Sequence, residues 1–259
     1  MTAPFALMYH SIAHRRPDPE GLCVPPDVLA RQLDTLQRRG LRGVGMGELL
    51  TAHRAGTARG LVGLTFDDGY TDFLDAAQLL AERGFGATLY VVAGRFGGTN
   101  DWDGNGWPLL TAAGVREVDA LGVEVASHTL THPHLPRCPP ARLRAEVTDS
   151  RAVLEDLLGH EVRGFAYPFG DEDPAVVAAV ADAGYRDAVR ADTGAPSTPH
   201  FPDLTVPRSY AGPDDGAVRL AAKHLRHHLH ARVHARRAAP CRRPAGGRDV
   251  PHRSPRSRP

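Results

Sequence analysis

The chain has 259 residues, 42% of them hydrophobic and 24% charged, with 27 Gly and 22 Pro: enough apolar content for one large domain or two small ones, and no collagen-like or mucin-like period. Its three cysteines, Cys23, Cys138 and Cys241, are scattered and form no C-x-x-C pair, a pattern that suggests neither a disulfide framework nor a thiolate zinc site. Net charge is +1, yet 12 of the 31 Lys/Arg and one of the 30 Asp/Glu fall after residue 216, so an acidic body carries a basic tail.

In chain order, FALMY (5–9) reads as a short buried strand ending at His10. Residues 25–40 place Val28, Leu29, Leu33 and Leu36 at helical spacing, with Gly40 as a stop. GELLTAHRAG is a short helix, GLVGLTFDD a strand, and Asp72 to Gly84 a helix. GATLYVVAG is a strand, residues 95–108 a Gly/Trp/Asp loop, LTAAGVREVDALG a helix and VEVASH a strand. Leu143 to Leu158 is a helix, VRGFAYPFG a strand, Pro174 to Gly184 a helix, and YRDAVRAD and LTVPRSYAG are strands. Short apolar strands alternating with helices of about three turns give the rhythm of a parallel sheet or barrel. An open doubly wound sheet would carry a glycine-rich first turn, and no G-x-G-x-x-G or G-x-x-x-x-G-K-[ST] occurs. Polar residues gather at strand C-termini (His10, Asp67, Asp68, His128, Arg208), as in a (β/α) barrel with its active site on that face.

Asp67 and Asp68 end the strand LTF side by side. They repel unless a positive group sits near them, and the plainer role is an acidic cap for the helix that follows. SHTLTHPHL places His128 and His132 four apart, with His134 beyond. Two imidazoles at that spacing can face one point. With a carboxylate from the earlier strand end, a two-His, one-Asp metal site is the leading physical account.

TFDDGY, SHTLTH and FAYPFG, in this order and behind an opening LMYHSI, resemble the polysaccharide deacetylase family (carbohydrate esterase family 4, the NodB-homology domain), in the branch with a FAYPYG-type third motif. The resemblance covers residues 5–215. It implies a distorted (β/α)7 barrel that hydrolyses N-acetyl, sometimes O-acetyl, groups of carbohydrates with a divalent metal, usually zinc. Asp68, His128 and His132 match the metal ligands and Asp67 the general base. Tyr167, Pro168 and Phe169 match the wall that packs against the sugar.

Two features depart from the common pattern. Ala166 stands where many members have an arginine that pairs with the base, so Arg208 is the candidate partner of Asp67, with Arg163 the weaker alternative. The late L-x-H histidine is missing at a strand end, which makes His10 the candidate acid. Trp102 and Trp107 are candidates to stack on a sugar ring or to pack their own loop. These departures keep open a non-catalytic carbohydrate-binding protein on the same fold, or an O-acetyl esterase.

The expected division is a catalytic barrel over 1–216, a basic amphipathic helix over 217–236 and a disordered Arg/Pro-rich tail over 237–259. The partner expected is an N-acetylated carbohydrate, with no specific nucleic acid. The basic segment suits peripheral contact with an anionic membrane. The opening MTAPFALMYH lacks a basic n-region and a long apolar stretch, so no secretion signal is expected, and the placement expected is cytoplasmic, at the inner membrane face.

Overall fold

The computed structural model describes residues 4–14, 18–191 and 201–238, with side chains as far as residue 227. The tail expected to be disordered lies, from residue 239 on, outside the described residues. Strands β1 (Ala6–Tyr9), β2 (Arg42–Val44), β3 (Leu61–Phe66), β4 (Thr88–Val91), β5 (Glu124–Ser127), β6 (Gly164–Ala166), β7 (Asp187–Arg190), β8 (Val206–Pro207) and β9 (Ser209–Tyr210) pair in parallel throughout. Between them run α1 (Pro26–Arg38), α2 (Met46–Arg54), α3 (Phe73–Ala81), α4 (Ala112–Ala120), α5 (Pro140–Leu158) and α6 (Pro174–Asp182), and α7 (Ala217–Ala238) follows.

The sheet runs β8-β7-β6-β5-β4-β3-β1-β9. Its two ends are neighbours in sequence: β8 pairs with β7, β9 pairs with β1, and only Arg208 separates them. Residues 206–210 therefore act as one staggered strand that closes a seven-stranded barrel. The closure is distorted on the far side. β4 meets β3 only at Thr65 and Phe66, and β2 takes the lower half of β3, opposite Leu61 to Gly63. This three-residue strand, one of whose residues is glycine, carries too little pattern to be read from sequence.

Side-chain alternation along the strands makes two apolar layers. Val62, Leu64 and Phe66 of β3 face outward and pack with Leu29, Leu33 and Leu36 of α1 and Phe73 and Leu80 of α3. Ala6, Tyr90, Ala126, Ala166, Val189 and Val206 face inward. Met46, Leu49 and Leu50 of α2 join them, so α2 fills the barrel from beneath. Gly63 permits this, since a Cβ there would lie 2.8 Å from Met46 Sδ and 2.9 Å from Ala6 Cβ. The first turn of α2 is anchored in the interior: Met46 N–H donates to Thr88 Oγ1 (2.7 Å) and Gly47 N–H to Glu124 Oε2 (3.0 Å).

α5 begins at Pro140, three residues before the expected Leu143. Proline at the first helical position has its φ preset and no N–H to leave unpaired, so the helix extends past its first periodic apolar residue. It stops at Gly159, at φ 75°.

At the lower end of the barrel Asp187 is 5% exposed, and its Oδ1 has no hydrogen-bond partner among the described residues. Burial, with the Glu124 carboxylate nearby, pushes its carboxyl up to about 7. The unfolded chain gives up this proton near the ordinary value of about 4. Folding therefore takes up a proton in between, and the residue's contribution to stability falls as pH rises from about 4 to about 7. Asp187→Asn removes that loss. Each unit is worth about 1.4 kcal/mol, and a gain of about 2 kcal/mol raises Tm by roughly 4–8 °C in a domain this size. Thermal unfolding is expected to show that gain at pH 8 and a smaller one at pH 5.

Candidate active site and metal centre

Alternation along β3 points Gly63, Thr65 and Asp67 inward, and would turn Asp68 out among the helices. Asp68 escapes this by taking a left-handed conformation (φ 74°), followed by Gly69 at φ 78°. The turn passes close to β4, for a Cβ on Gly69 would lie 2.9 Å from Val91 Cγ1. Both carboxylates thereby reach the mouth of the barrel, each 3% exposed. Neither caps the helix that follows: the residue before α3 is Asp72, whose carboxylate instead accepts from Ser11 Oγ (2.7 Å) and Ile12 N–H (2.9 Å).

Arg208 faces inward where the closing strand changes neighbours. It is 1% exposed. Its Nη1 and Nη2 donate to the two oxygens of Asp67 at 2.6 and 2.7 Å, and Nη1 also donates to Thr65 Oγ1 at 3.0 Å. This two-pronged contact fixes the plane of the carboxylate. Burial alone would raise the Asp67 pKa, but the charge and hydrogen bonds of Arg208 outweigh it and lower it. Arg163 is exposed and bonded to Glu161 (2.8 Å).

His128 continues the inward face of β5, its N–H bonded to Val91 O (2.8 Å). Its Nδ1 lies 2.9 Å from Ala166 O. A carbonyl only accepts, so Nδ1 carries a proton and Nε2 is the ring nitrogen left facing the cluster. His132 reaches the same point by a loop rather than a helical turn, with Thr129 at φ 69° and His132 at φ 62°. Its N–H donates to Thr129 Oγ1 (2.9 Å). The two Nε2 atoms are 3.2 Å apart, and Asp68 Oδ1 is 3.4 Å from each. Among the described residues that oxygen is buried without a hydrogen-bond partner. Burial would raise the Asp68 pKa, but its contacts with His128 and His132 pull it well below the ordinary value.

These three atoms fit a small divalent ion. Ligand atoms about 2.0–2.1 Å from a tetrahedral centre lie about 3.3–3.4 Å from one another. The observed triangle has these edges to within 0.2 Å, and it contains the oxygen that the protein itself leaves unpaired.

Aromatic rings frame the cluster. Trp102 stacks on His132 (centroids 4.3 Å apart, 23° between planes), and Phe169 meets the same ring edge-on at 4.7 Å. Phe169 is 43% exposed and held at φ 59° by the turn that follows β6. It stacks on His134 (3.9 Å), whose Nδ1 pairs with Asp171 Oδ2 at 2.6 Å. His10 lies on the inward face of β1, half-buried, with Nδ1 unpartnered among the described residues. Burial lowers its pKa, against the pull of the Asp68 and Asp67 charges.

Three residues expected to line the sugar site are buried. Trp107 is buried, edge-on to Tyr70 at 5.5 Å, and belongs to the packing of its own loop. Tyr167 is buried with its ring against Phe165, and its hydroxyl donates to Leu204 O (2.9 Å). The alternation of β6 carried this signal, since Tyr167 shares the outward parity of Phe165. Pro168 is buried as well. Asn100 belongs to no motif that would mark it in the sequence: wholly buried, it donates to Tyr70 Oη (2.9 Å) and accepts from Trp107 N–H (2.6 Å), pinning the loop that presents Trp102.

Comparison with known proteins agrees with this architecture. YxkH of Bacillus subtilis is 27% identical over 195 residues, covering 74% of this chain and 65% of its own length. A chitooligosaccharide deacetylase of Bradyrhizobium is 36% identical over 124 residues, 47% of this chain and 51% of the relative. The matches thus span less than two thirds of either curated relative. The solved Streptococcus pyogenes deacetylase PplD, in complex with acetate, superposes with a TM-score of 0.73 at 26% identity, over 86% of this chain and 98% of that one. The family model for polysaccharide deacetylase matches residues 54–188, from the end of α2 into β7. That match takes in just over half the sequence, including both strand ends that meet in the Asp–His–His cluster, and the chain belongs to the polysaccharide deacetylase family.

Proposed function

We propose that this chain is a metal-dependent deacetylase that hydrolyses the N-acetyl group of an amino sugar within a carbohydrate chain. The observation that carries the reading is the triangle of Asp68 Oδ1 and the two Nε2 atoms, set beside a second carboxylate that Arg208 holds ionised. The family supports it, as do the activity named for the Bradyrhizobium relative and the acetate bound by PplD.

Asp68, His128 and His132 would hold the metal. Two nitrogens and one oxygen at tetrahedral spacing favour zinc. When bound, the ion supplies Lewis acidity to the acyl carbonyl and lowers the pKa of water at the site.

The rest is work for the protein's own groups. Each Asp67 oxygen gives one lone pair to Arg208 and keeps one, so the carboxylate can accept a proton from the attacking water without turning. Amide hydrolysis also needs a proton on the leaving nitrogen. His10 shares the inward face with both carboxylates and is the group placed to carry it. Its lowered pKa means that it donates only after taking a proton up, so the one that Asp67 gains restores it for the next cycle. Trp102 and Phe169 offer apolar faces on either side of His132 against which a pyranose ring can lie. The basic segment after residue 216 supports peripheral attachment to an anionic surface at the cytoplasmic membrane face.

The test is acetate release from N-acetylated oligosaccharides by zinc-loaded protein. Release that stops on chelation and returns with zinc is expected. No acetate from a broad set of N-acetylated and O-acetylated glycans, with one zinc bound per chain, defeats the reading.

A further inference from the structure

The loop from His128 to His132 carries two of the three ligand atoms and holds two non-glycine residues in the left-handed region. Such residues are strained and persist only where the surroundings fix them. The fixing comes from α5. Glu146 is 3% exposed. Its Oε2 accepts from the N–H of Leu130 (3.1 Å) and of Thr131 (2.8 Å), and its Oε1 accepts from Thr131 Oγ1 (2.5 Å). One turn later Ser150 Oγ accepts from Ser127 Oγ (2.9 Å), which in turn accepts from Thr129 N–H (3.2 Å). Two successive turns of one helix therefore hold the loop at its start and in its middle.

A strong cation salt bridge is not what keeps Glu146 there. Arg142 approaches only to 3.6 Å, with its side chain 58% exposed. A buried carboxylate of this kind is costly unless its lone pairs are used, and here they are spent on two backbone amides and a hydroxyl of the ligand loop. We propose that Glu146 is a positioning residue for the metal: by gripping Leu130 and Thr131 it holds His132 where its Nε2 completes the triangle with His128 and Asp68. The inference rests on the reading of that triangle as a metal centre.

The test is zinc affinity, measured by competition with a chromophoric chelator, for wild type, Glu146→Leu and Glu146→Gln. Hydrogen exchange is read at the Leu130 and Thr131 amides in metal-free protein. Loss of a group that orients a metal ligand typically weakens binding by about 10–100-fold, and Glu146→Leu is expected in that range, with faster exchange at both amides. Glu146→Gln is expected within about threefold of wild type, because one amide oxygen can accept both N–H groups while its NH2 donates to the Thr131 hydroxyl. A Glu146→Leu protein that binds zinc as tightly as wild type overturns the proposal. If Glu146→Leu does not fold, Thr131→Val decides: several-fold weaker zinc binding supports the proposal and unchanged binding overturns it. Wild type that binds no zinc overturns the metal reading as well, so the two failures are told apart.

Discussion

Asp67→Asn is expected to keep its zinc and lose turnover by about 10²–10⁴-fold, the usual contribution of a positioned general base. Asp67 contributes no atom to the Asp68–His128–His132 cluster, so metal content has no reason to fall. What changes is the group beside the cluster. An amide oxygen accepts one Arg208 N–H as before, but the amide nitrogen then faces a second donor, and nothing remains to take a proton from water. The substitution also leaves the buried Arg208 without its counter-charge. Breaking a buried pair in this way costs about 3–5 kcal/mol, so a lower Tm is expected with the loss of rate. Acetate release and zinc content measured on the same folded sample separate the alternatives. Full-rate turnover removes Asp67 from the chemistry; loss of zinc as well makes it part of the metal site.

Asp68→Ala is the converse. It removes one of three ligand atoms and the only negative one, and affinity for zinc is expected to fall by more than the roughly 10–100-fold that loss of a supporting group costs. Activity falls with it and returns only in part at high zinc. Contacts with His128 and His132 favour the ionised Asp68 carboxylate in the folded metal-free protein, so Asp68→Ala is expected to lower metal-free Tm at neutral pH and to abolish the rise in Tm that zinc gives wild type. Competition with a chelator and thermal unfolding with and without zinc check both halves. Undiminished zinc binding by Asp68→Ala contradicts the ligand set.

Much of the barrel is legible in the sequence because its strands are short, apolar and separated by helices whose buried residues recur at helical spacing. Leu29, Leu33 and Leu36 in α1 fall where the periodicity places them. Strand parity carries more than the outline of the barrel. It puts His10, Asp67, His128 and Arg208 on one inward surface, and it turns Tyr167 outward beside Phe165. Parity fails where the backbone leaves the strand. Nothing in DDG says that Asp68 takes a positive φ and so joins Asp67 in the mouth, and nothing in HTLTH says that Thr129 and His132 do the same. Those three dihedrals decide whether the ligand atoms meet, and long-range contacts that no local pattern encodes, such as Glu146 on the loop and Val91 against Gly69, hold them. The two tryptophans show the same limit. Both sit among turn-forming residues, and long-range contacts such as the Asn100 side chain on the Trp107 N–H, which no local pattern encodes, decide which indole packs inward and which stacks on His132.

The ligand set is tested most directly by where a metal goes. Crystals of the wild-type protein grown with zinc, with diffraction recorded on both sides of the zinc absorption edge, are expected to show one anomalous peak about 2.0–2.2 Å from Asp68 Oδ1 and from the Nε2 atoms of His128 and His132. A fully occupied peak bound elsewhere, or none between those three side chains at saturating zinc, contradicts it.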